Sequence, residues 1–428
     1  MRLTHVGYLP LPFGPLLTYD LPVLEVGRSL PLSFDQDRHV GDGDRAGSWM
    51  ALSLRLPGPV PRVRLAAAWR AVVAAHGTLR TVFTLDDGVP ALYEAQLGEG
   101  RWRQHAVAAG QAMNDALREV LDDGCTPCSR PSHTFCVIET ADGPTVVIGS
   151  DHAHVDMWSL LVIARDLLAA LQRLRDGEDP VLVPAPSFAE HTRVLAERSE
   201  IPQETHDRWA EIIEAGGGVM PRFPLPLGEP SLQPERVEVR DVLDVAGQEA
   251  YTARARREGV STLALTVAMM TETTRVLAGT ALRAVFPVHS RHEQHWHDSV
   301  GWFITNSVLE SADPEPAACS AAVREAIRLG SWPLAPIMAR WGGMPAAAGM
   351  FAVSWLDLRR LPVRIDDVGL DAQLISAAIR TDGVMLWFII DARGMHLRCR
   401  YPDTLEARDS VGKWLDGVVA RMRESAAG

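Results

Sequence analysis

A short apolar strand that runs into a polar loop and then into an unbroken apolar helix constrains this chain more than any other feature. Thr145 to Ile148 follows the turn signal Asp142-Gly143-Pro144 and reads as a strand, and Leu160 to Leu171 reads as a helix. Between them lies SDHAHVDMWS, Ser150 to Ser159. Strand, loop and helix in that order belong to an α/β chain, and the connection is where a rigid scaffold holds reactive side chains over a cleft. His152 and Asp156, four apart in that connection, are the candidate catalytic pair. A neutral imidazole titrates close to working pH and suits a general base, a role that contributes ~100- to 10,000-fold in rate. Asp156 suits a partner that accepts a hydrogen bond from the ring or from a neighbouring cation and so fixes the loop. In a chain with fourteen histidines the spacing by itself is weak.

The rest of the chain alternates in the same way. Leu65 to Ala75 reads as a helix, Leu79 to Leu85 as a strand ending at the turn Asp86-Asp87-Gly88, and Cys136 to Ile138 as a partner of the strand before the motif. A breaker-rich stretch, Asp176 to Pro186, suggests a boundary and hence two domains, 1–180 and 181–428. In the second, Thr262 to Leu277 is a helix capped by Ser261, and strands at Ala281 to Val288 and Trp302 to Leu309 flank a polar loop. Met350 to Leu356, Val384 to Ile390 and Leu397 to Tyr401 read as strands and Leu405 to Met422 as a closing helix. No tandem repeat is visible.

At 428 residues with 47% hydrophobic and 22% charged content, the chain has ample core material and no sign of disorder. A net charge of −12 argues against nonspecific nucleic-acid binding. No apolar stretch reaches the ~18 residues of a membrane span, and the N-terminus lacks a secretory leader, so a cytoplasmic location is expected. Five cysteines do not form a secreted disulfide framework. Cys125 and Cys128 form one Cys-x-x-Cys pair with no second pair to complete a zinc site, and a surface turn is the simpler reading. His292, His295 and His297 beside Glu293 have metal-binding side chains but read as an exposed loop, so no metal site is expected.

Collinear motifs sharpen this reading. LSFDQDR at Leu32 to Arg38, AHGTLRTVF at Ala75 to Phe83, the His152 loop, Ser187 to His191, FPLPLGEP at Phe223 to Pro230, PVHSR at Pro287 to Arg291 and VGWFITN at Val300 to Asn306 occur in sequence order. Together the chain resembles the condensation-domain and acyl-CoA-dependent acyltransferase superfamily, and most closely the polyketide-associated (Pap-type) acyltransferases. It departs twice. Asp151 stands at the first His of the His-His-x-x-x-Asp-Gly signature, as is usual in the Pap-type form, and Met157 stands at the Gly. Glycine there admits close backbone approach, so Met157 is expected to narrow or reshape the acceptor side.

The resemblance implies an α/β (α+β) fold of two chloramphenicol-acetyltransferase-like lobes in a V-shaped pseudo-dimer, with the site at their interface. It implies acyl transfer from a thioester, on coenzyme A or a phosphopantetheinyl carrier protein, to a small-molecule hydroxyl, with no permanently bound cofactor. His152 would be the base and Asp156 would organise the loop through an ion pair with Arg291. Asp151, His154, Met157, Trp302 and Asn306 are candidate substrate-binding residues, although packing is an equal or better reading for His154 and Trp302. Amide formation on an amine acceptor is the near alternative. A noncatalytic module that recruits a carrier protein is the alternative of a different class, and metal-assisted hydrolysis is a distant third.

Overall fold

The computed structural model describes residues 1–198 and 200–428. They form two compact units. The first comprises Met1–Glu197, Arg291–Phe303 and Leu361–Ala378; the second comprises Arg198–Ser290, Ile304–Arg360 and Ile379–Gly428.

The first unit is built on a seven-stranded sheet in the order Arg2–His5, Gln373–Ser376, Trp49–Arg55, Thr145–Asp151, His133–Ile138, Leu16–Asp20, Arg101–His105. Arg2–His5 and Gln373–Ser376 pair in parallel, and the other pairs are antiparallel. The strand that leads into the motif therefore lies inside the sheet, with Trp49 opposite Asp151 on one side and His133 opposite Ser150 on the other. All seven of its residues are buried. A buried strand paired on both edges is a rigid mount for the residue that follows it.

A smaller three-stranded sheet, Val23–Leu30, Val89–Leu97 and Thr81–Asp86, completes the strands of this unit. Its hairpin turns at Asp87 and Gly88, both at positive φ, 53° and 80°. A two-residue turn of that kind requires left-handed backbone, which is why the Asp-Gly pair was legible in the sequence.

The second unit has its own seven-stranded sheet, in the order Ile304–Ser311, Leu282–His289, Phe351–Asp357, Val384–Asp391, Gly394–Pro402, Gln233–Leu243, Arg380–Thr381. Phe351–Asp357 runs parallel to both its neighbours. The core joins Phe351, Phe388, Leu397 and Tyr401 from the sheet to Leu265 and Met270 of helix Thr262–Ala278 and to Trp414 and Leu415 of helix Leu405–Ala427. Ser261 caps the first of these helices by accepting from the Ala264 N–H, 3.1 Å. The Trp414 indole N–H donates to Thr274 Oγ1 at 3.0 Å, so this large ring is buried without losing its hydrogen bond.

Several boundaries differ from the sequence reading, and three of them have a clear local reason. The strand expected from Leu79 begins at Thr81, because Gly77–Arg80 forms a 3-10 turn in which the Leu79 N–H bonds to the His76 carbonyl. The strand expected from Trp302 begins at Ile304, because the Phe303 N–H donates to Asp156 Oδ2 and not to a strand partner. The compact units also do not follow the expected division at 180/181. The first unit runs on to Glu197: the Ala185 N–H returns to the Ala75 carbonyl at 3.0 Å, and Ser187 caps a further helix, Phe188–Ala196.

Candidate active site

Asp156 is the N-cap of helix Met157–Arg175, so the helix starts three residues earlier than the apolar run suggested. Its Oδ1 accepts from the Ser159 N–H at 2.8 Å, satisfying one of the orphan donors of the first turn. The remaining capacity of the carboxylate is filled by Arg291. Nη1 donates to Oδ2 at 2.6 Å and Nη2 to Oδ1 at 3.1 Å, a two-point pair between residues that are 1% and 2% exposed. The Phe303 N–H adds a contact at 3.1 Å. Burial acts to raise the Asp156 carboxyl, but the Arg291 charge and these hydrogen bonds outweigh it and hold the group below the usual carboxylate range.

Arg291 is enclosed in turn. Its guanidinium lies 3.9 Å from the Phe303 ring centre and 5.0 Å from that of Trp158, and Nη2 also reaches Ser159 Oγ at 2.8 Å and the Ser299 carbonyl at 3.2 Å. Ser159 Oγ accepts from the Gly301 N–H at 3.0 Å, and the Trp158 indole donates to the His297 carbonyl at 3.0 Å. Residues 291–303 are thereby fastened to the first turns of the motif helix. Gly301 has to be glycine for this approach, since a Cβ there would come within 2.4 Å of Phe188.

His152 presents the opposite situation. It is half-buried, follows the last strand residue directly, and its backbone N–H donates to the Ser48 carbonyl at 3.0 Å. Nδ1 is buried with no partner in hydrogen-bonding geometry. The ring lies 4.4 Å from that of Trp302 and 6.4 Å from that of His39. Burial, and then the His39 imidazole, lower its pKa below the ordinary histidine value, against smaller opposing effects of its own backbone, Asp151 and Asp156. The imidazole is therefore neutral at pH 7.

The other expected residues fall into three groups. Asp151 is 0% exposed, and its carboxylate accepts from Ser48 Oγ at 2.5 Å, the Ala153 N–H at 2.8 Å and the His39 ring at 3.2 Å. Burial would raise it, but those hydrogen bonds hold it below its ordinary value. His154 is 2% exposed and packs edge-on to Phe83 at 4.8 Å, and burial pushes its pKa down to about 4. Neither presents an atom at an open surface. Met157, the first helical residue, and Trp302 are half-buried, and Asn306 is half-buried on strand Ile304–Ser311 of the second unit.

Sequence reasoning missed His39, Arg45 and Ser48. The Arg45 guanidinium donates to His39 Nδ1 at 3.0 Å and to the His39 carbonyl at 2.8 Å, and Ser48 Oγ reaches Asp151. Arg45 and Ser48 lie in an aperiodic glycine-rich stretch that carries no signal. The opening motif did carry one: Ser33 and Gln36 form a reciprocal capping box, and Gln36 Nε2 then donates to the Ala153 carbonyl at 2.8 Å inside the His152 loop.

The five cysteines are unpaired, and burial pushes the Cys125 thiol up to about 12. No group of three or more potential metal ligands comes together among the described residues. No helix among them is long and apolar enough to cross a membrane.

Residues 39–326 match the Condensation domain family, a span that includes His152, Asp156, Arg291, Trp302 and Asn306, and the chain belongs to that family. Among similar proteins, a probable non-canonical nonribosomal peptide synthetase, CymA, of Salinispora arenicola is 28% identical over 302 residues, covering 66% of this chain and 4% of that protein. The isonitrile lipopeptide synthase of Mycobacterium tuberculosis is 26% identical over 335 residues, 73% of this chain and 13% of the synthase. The chain thus spans a small part of these multidomain relatives. Acyltransferase PapA3 of Mycobacterium tuberculosis is 24% identical over 342 residues, covering 74% of this chain and 71% of PapA3. The solved structure of PapA2 acyl transferase superposes with a TM-score of 0.88 at 18% identity, covering 100% of both chains. The fold is that of the condensation domains and PapA2, with chloramphenicol-acetyltransferase-like lobes.

Proposed function

We propose that this chain transfers an acyl group from a thioester, on coenzyme A or an acyl carrier protein, to the hydroxyl of a specialised metabolite, sugar or glycolipid, with His152 as general base. The observation that carries the reading is the state of His152: a neutral, half-buried imidazole directly after a rigid strand, with its pKa lowered, beside an Asp156 carboxylate whose hydrogen bonds are filled by Arg291, Ser159 and Phe303. Acyl transfer itself follows the family.

The steps balance without a covalent enzyme intermediate. As the acceptor oxygen attacks the thioester carbonyl, its proton passes to His152, a C–O bond forms and the carbonyl oxygen becomes an oxyanion. Collapse breaks the C–S bond, and the imidazolium returns the proton to the departing sulfur. Asp156 and Arg291 touch no reactant in this scheme and hold the loop. Asn306, whose amide can donate to a carbonyl oxygen, is the residue we assign to orienting the thioester or the acceptor, and Trp302 forms a wall beside the base. Met157 shapes the acceptor side. Five unpaired cysteines support a reducing, cytoplasmic setting.

The synthetase relatives support a second reading, amide formation on an amine acceptor, in which His152 positions the amine and takes up its excess proton. The test is thiol release from acyl-coenzyme A or acyl carrier protein with hydroxyl and amine acceptors, followed by intact-mass analysis of the product. Release that requires an acceptor and falls at least ~100-fold in His152→Ala supports the base. Carrier binding with no turnover for any acceptor, unchanged in His152→Ala, would replace the enzyme with a recruitment module.

A further inference from the structure

We propose that His39 is a positioning residue for His152, held by a partly buried chain of hydrogen bonds, Arg45 to His39 to Asp151 to Ser48, that fixes both the backbone and the ring plane of the base. This rests on His152 being the base.

The geometry is specific. Arg45 donates to His39 Nδ1 at 3.0 Å, which leaves Nε2 to carry the hydrogen and to donate to Asp151 at 3.2 Å. Asp151 also accepts from Ser48 Oγ at 2.5 Å. The chain ends on both sides of His152: Asp151 precedes it, and the Ser48 carbonyl accepts its backbone N–H at 3.0 Å. A second contact acts on the ring. His39 stands edge-on to Trp302 at 5.2 Å, and Trp302 lies 4.4 Å from His152, so the three rings close a triangle whose third side is 6.4 Å. His39 adds an edge contact to a Trp302 ring that also packs against the Val40, Phe83, Leu92 and Ala153 cluster. Beyond its own backbone the His152 ring has no hydrogen-bond partner at Nδ1, so these walls bear on its orientation.

The charged and titratable groups that face His152 are Asp151, Asp156 and His39. The two carboxylates raise its pKa and His39 lowers it, so removing His39 moves His152 back toward its ordinary value. The base form is then lost at higher pH.

His39→Gln keeps an N–H for Asp151 and removes the ring. The readout is the pH profile of kcat/KM for acceptor-dependent thiol release, with kcat and KM measured separately, beside His152→Ala in the same assay. We expect kcat to fall roughly 10- to 100-fold, up to the cost of a misplacement of about 1 Å, with KM little changed and the acid limb shifted upward. His39→Phe, which keeps a ring against Trp302, should recover part of kcat but show the same upward shift. A wild-type kcat and acid limb in His39→Gln would overturn the proposal, as would a change confined to KM, which would make His39 a substrate-binding residue. Failure of both variants to fold would assign His39 to the fold alone and also overturn it. Failure of the base reading is recognised separately, by His152→Ala retaining its turnover.

Discussion

The two ends of the His152 to Asp156 loop, four residues apart and within one connection, are built on opposite principles. At Asp156 every oxygen is engaged: two guanidinium nitrogens, two backbone N–H groups and the Ser159 hydroxyl surround a carboxylate that is 2% exposed. At His152 the residue is half-buried, Nδ1 has no partner beyond its own backbone, and the Trp302 and His39 rings stand beside it. A saturated group has no capacity left for chemistry and a great deal to lose on removal, while an unsaturated one contributes little to the fold and is available to a reactant. The acid of this motif is a fastener and the imidazole is the reagent.

The sharpest way to break that contrast is to open the ion pair. Asp156→Ala or Arg291→Met leaves its partner charge buried and uncompensated, which costs ~3–5 kcal/mol; denaturant unfolding should show the loss directly. An Asp156→Ala protein of normal stability that has lost turnover would give the carboxylate a chemical role and end the contrast. Ser159→Ala should cost less, ~1–3 kcal/mol, because the Gly301 N–H, one Asp156 contact and one Arg291 contact lose their partner while Arg291 keeps its two-point pair with Asp156.

Acid unfolding separates the groups by sign. His133 and His154, both held at about 4 by burial, bind fewer protons folded than unfolded between pH 6.5 and 4. Their neutral forms therefore contribute stability that is complete above the ordinary histidine pKa and is lost as pH falls through that window, by about 1.4 kcal/mol per pH unit for each group. His154→Phe should flatten the slope between pH 6.5 and 4 without changing stability near pH 8 by more than its packing cost. Asp156 acts at lower pH. Its carboxyl is held below the usual value, so the pair's stabilisation is present above the ordinary carboxylate pKa and disappears only as pH falls below ~4. The stability difference between wild type and Asp156→Asn should accordingly stay constant from pH 8 to 5 and close below that.

Much of this was readable in the chain, and the parts that were not share a physical cause. The Asp142-Gly143-Pro144 turn, the buried strand and the apolar helix needed only period and punctuation, and the Ser261 cap and the Asp87-Gly88 hairpin turn follow from local backbone chemistry. Asp156 with Arg291 was expected from family resemblance, not from spacing, since 135 residues separate them. His39, Arg45 and Ser48 were invisible because their role depends on strand Trp49–Arg55 lying beside the motif strand, and register between distant strands is not written in any local window. The expected division at 180/181 followed proline and glycine, whereas the compact units follow contacts that bring 291–303 and 361–378 back to the first. Local chemistry marks where the chain turns, not where it returns.

The most direct measurement compares wild type with His152→Ala for acceptor-dependent thiol release and for unfolding midpoint in the same preparation. The contrast between the two ends of the loop predicts turnover at least ~100-fold lower with an essentially unchanged midpoint. Turnover within a few-fold of wild type, or a loss of activity accompanied by a collapse in stability, would contradict it.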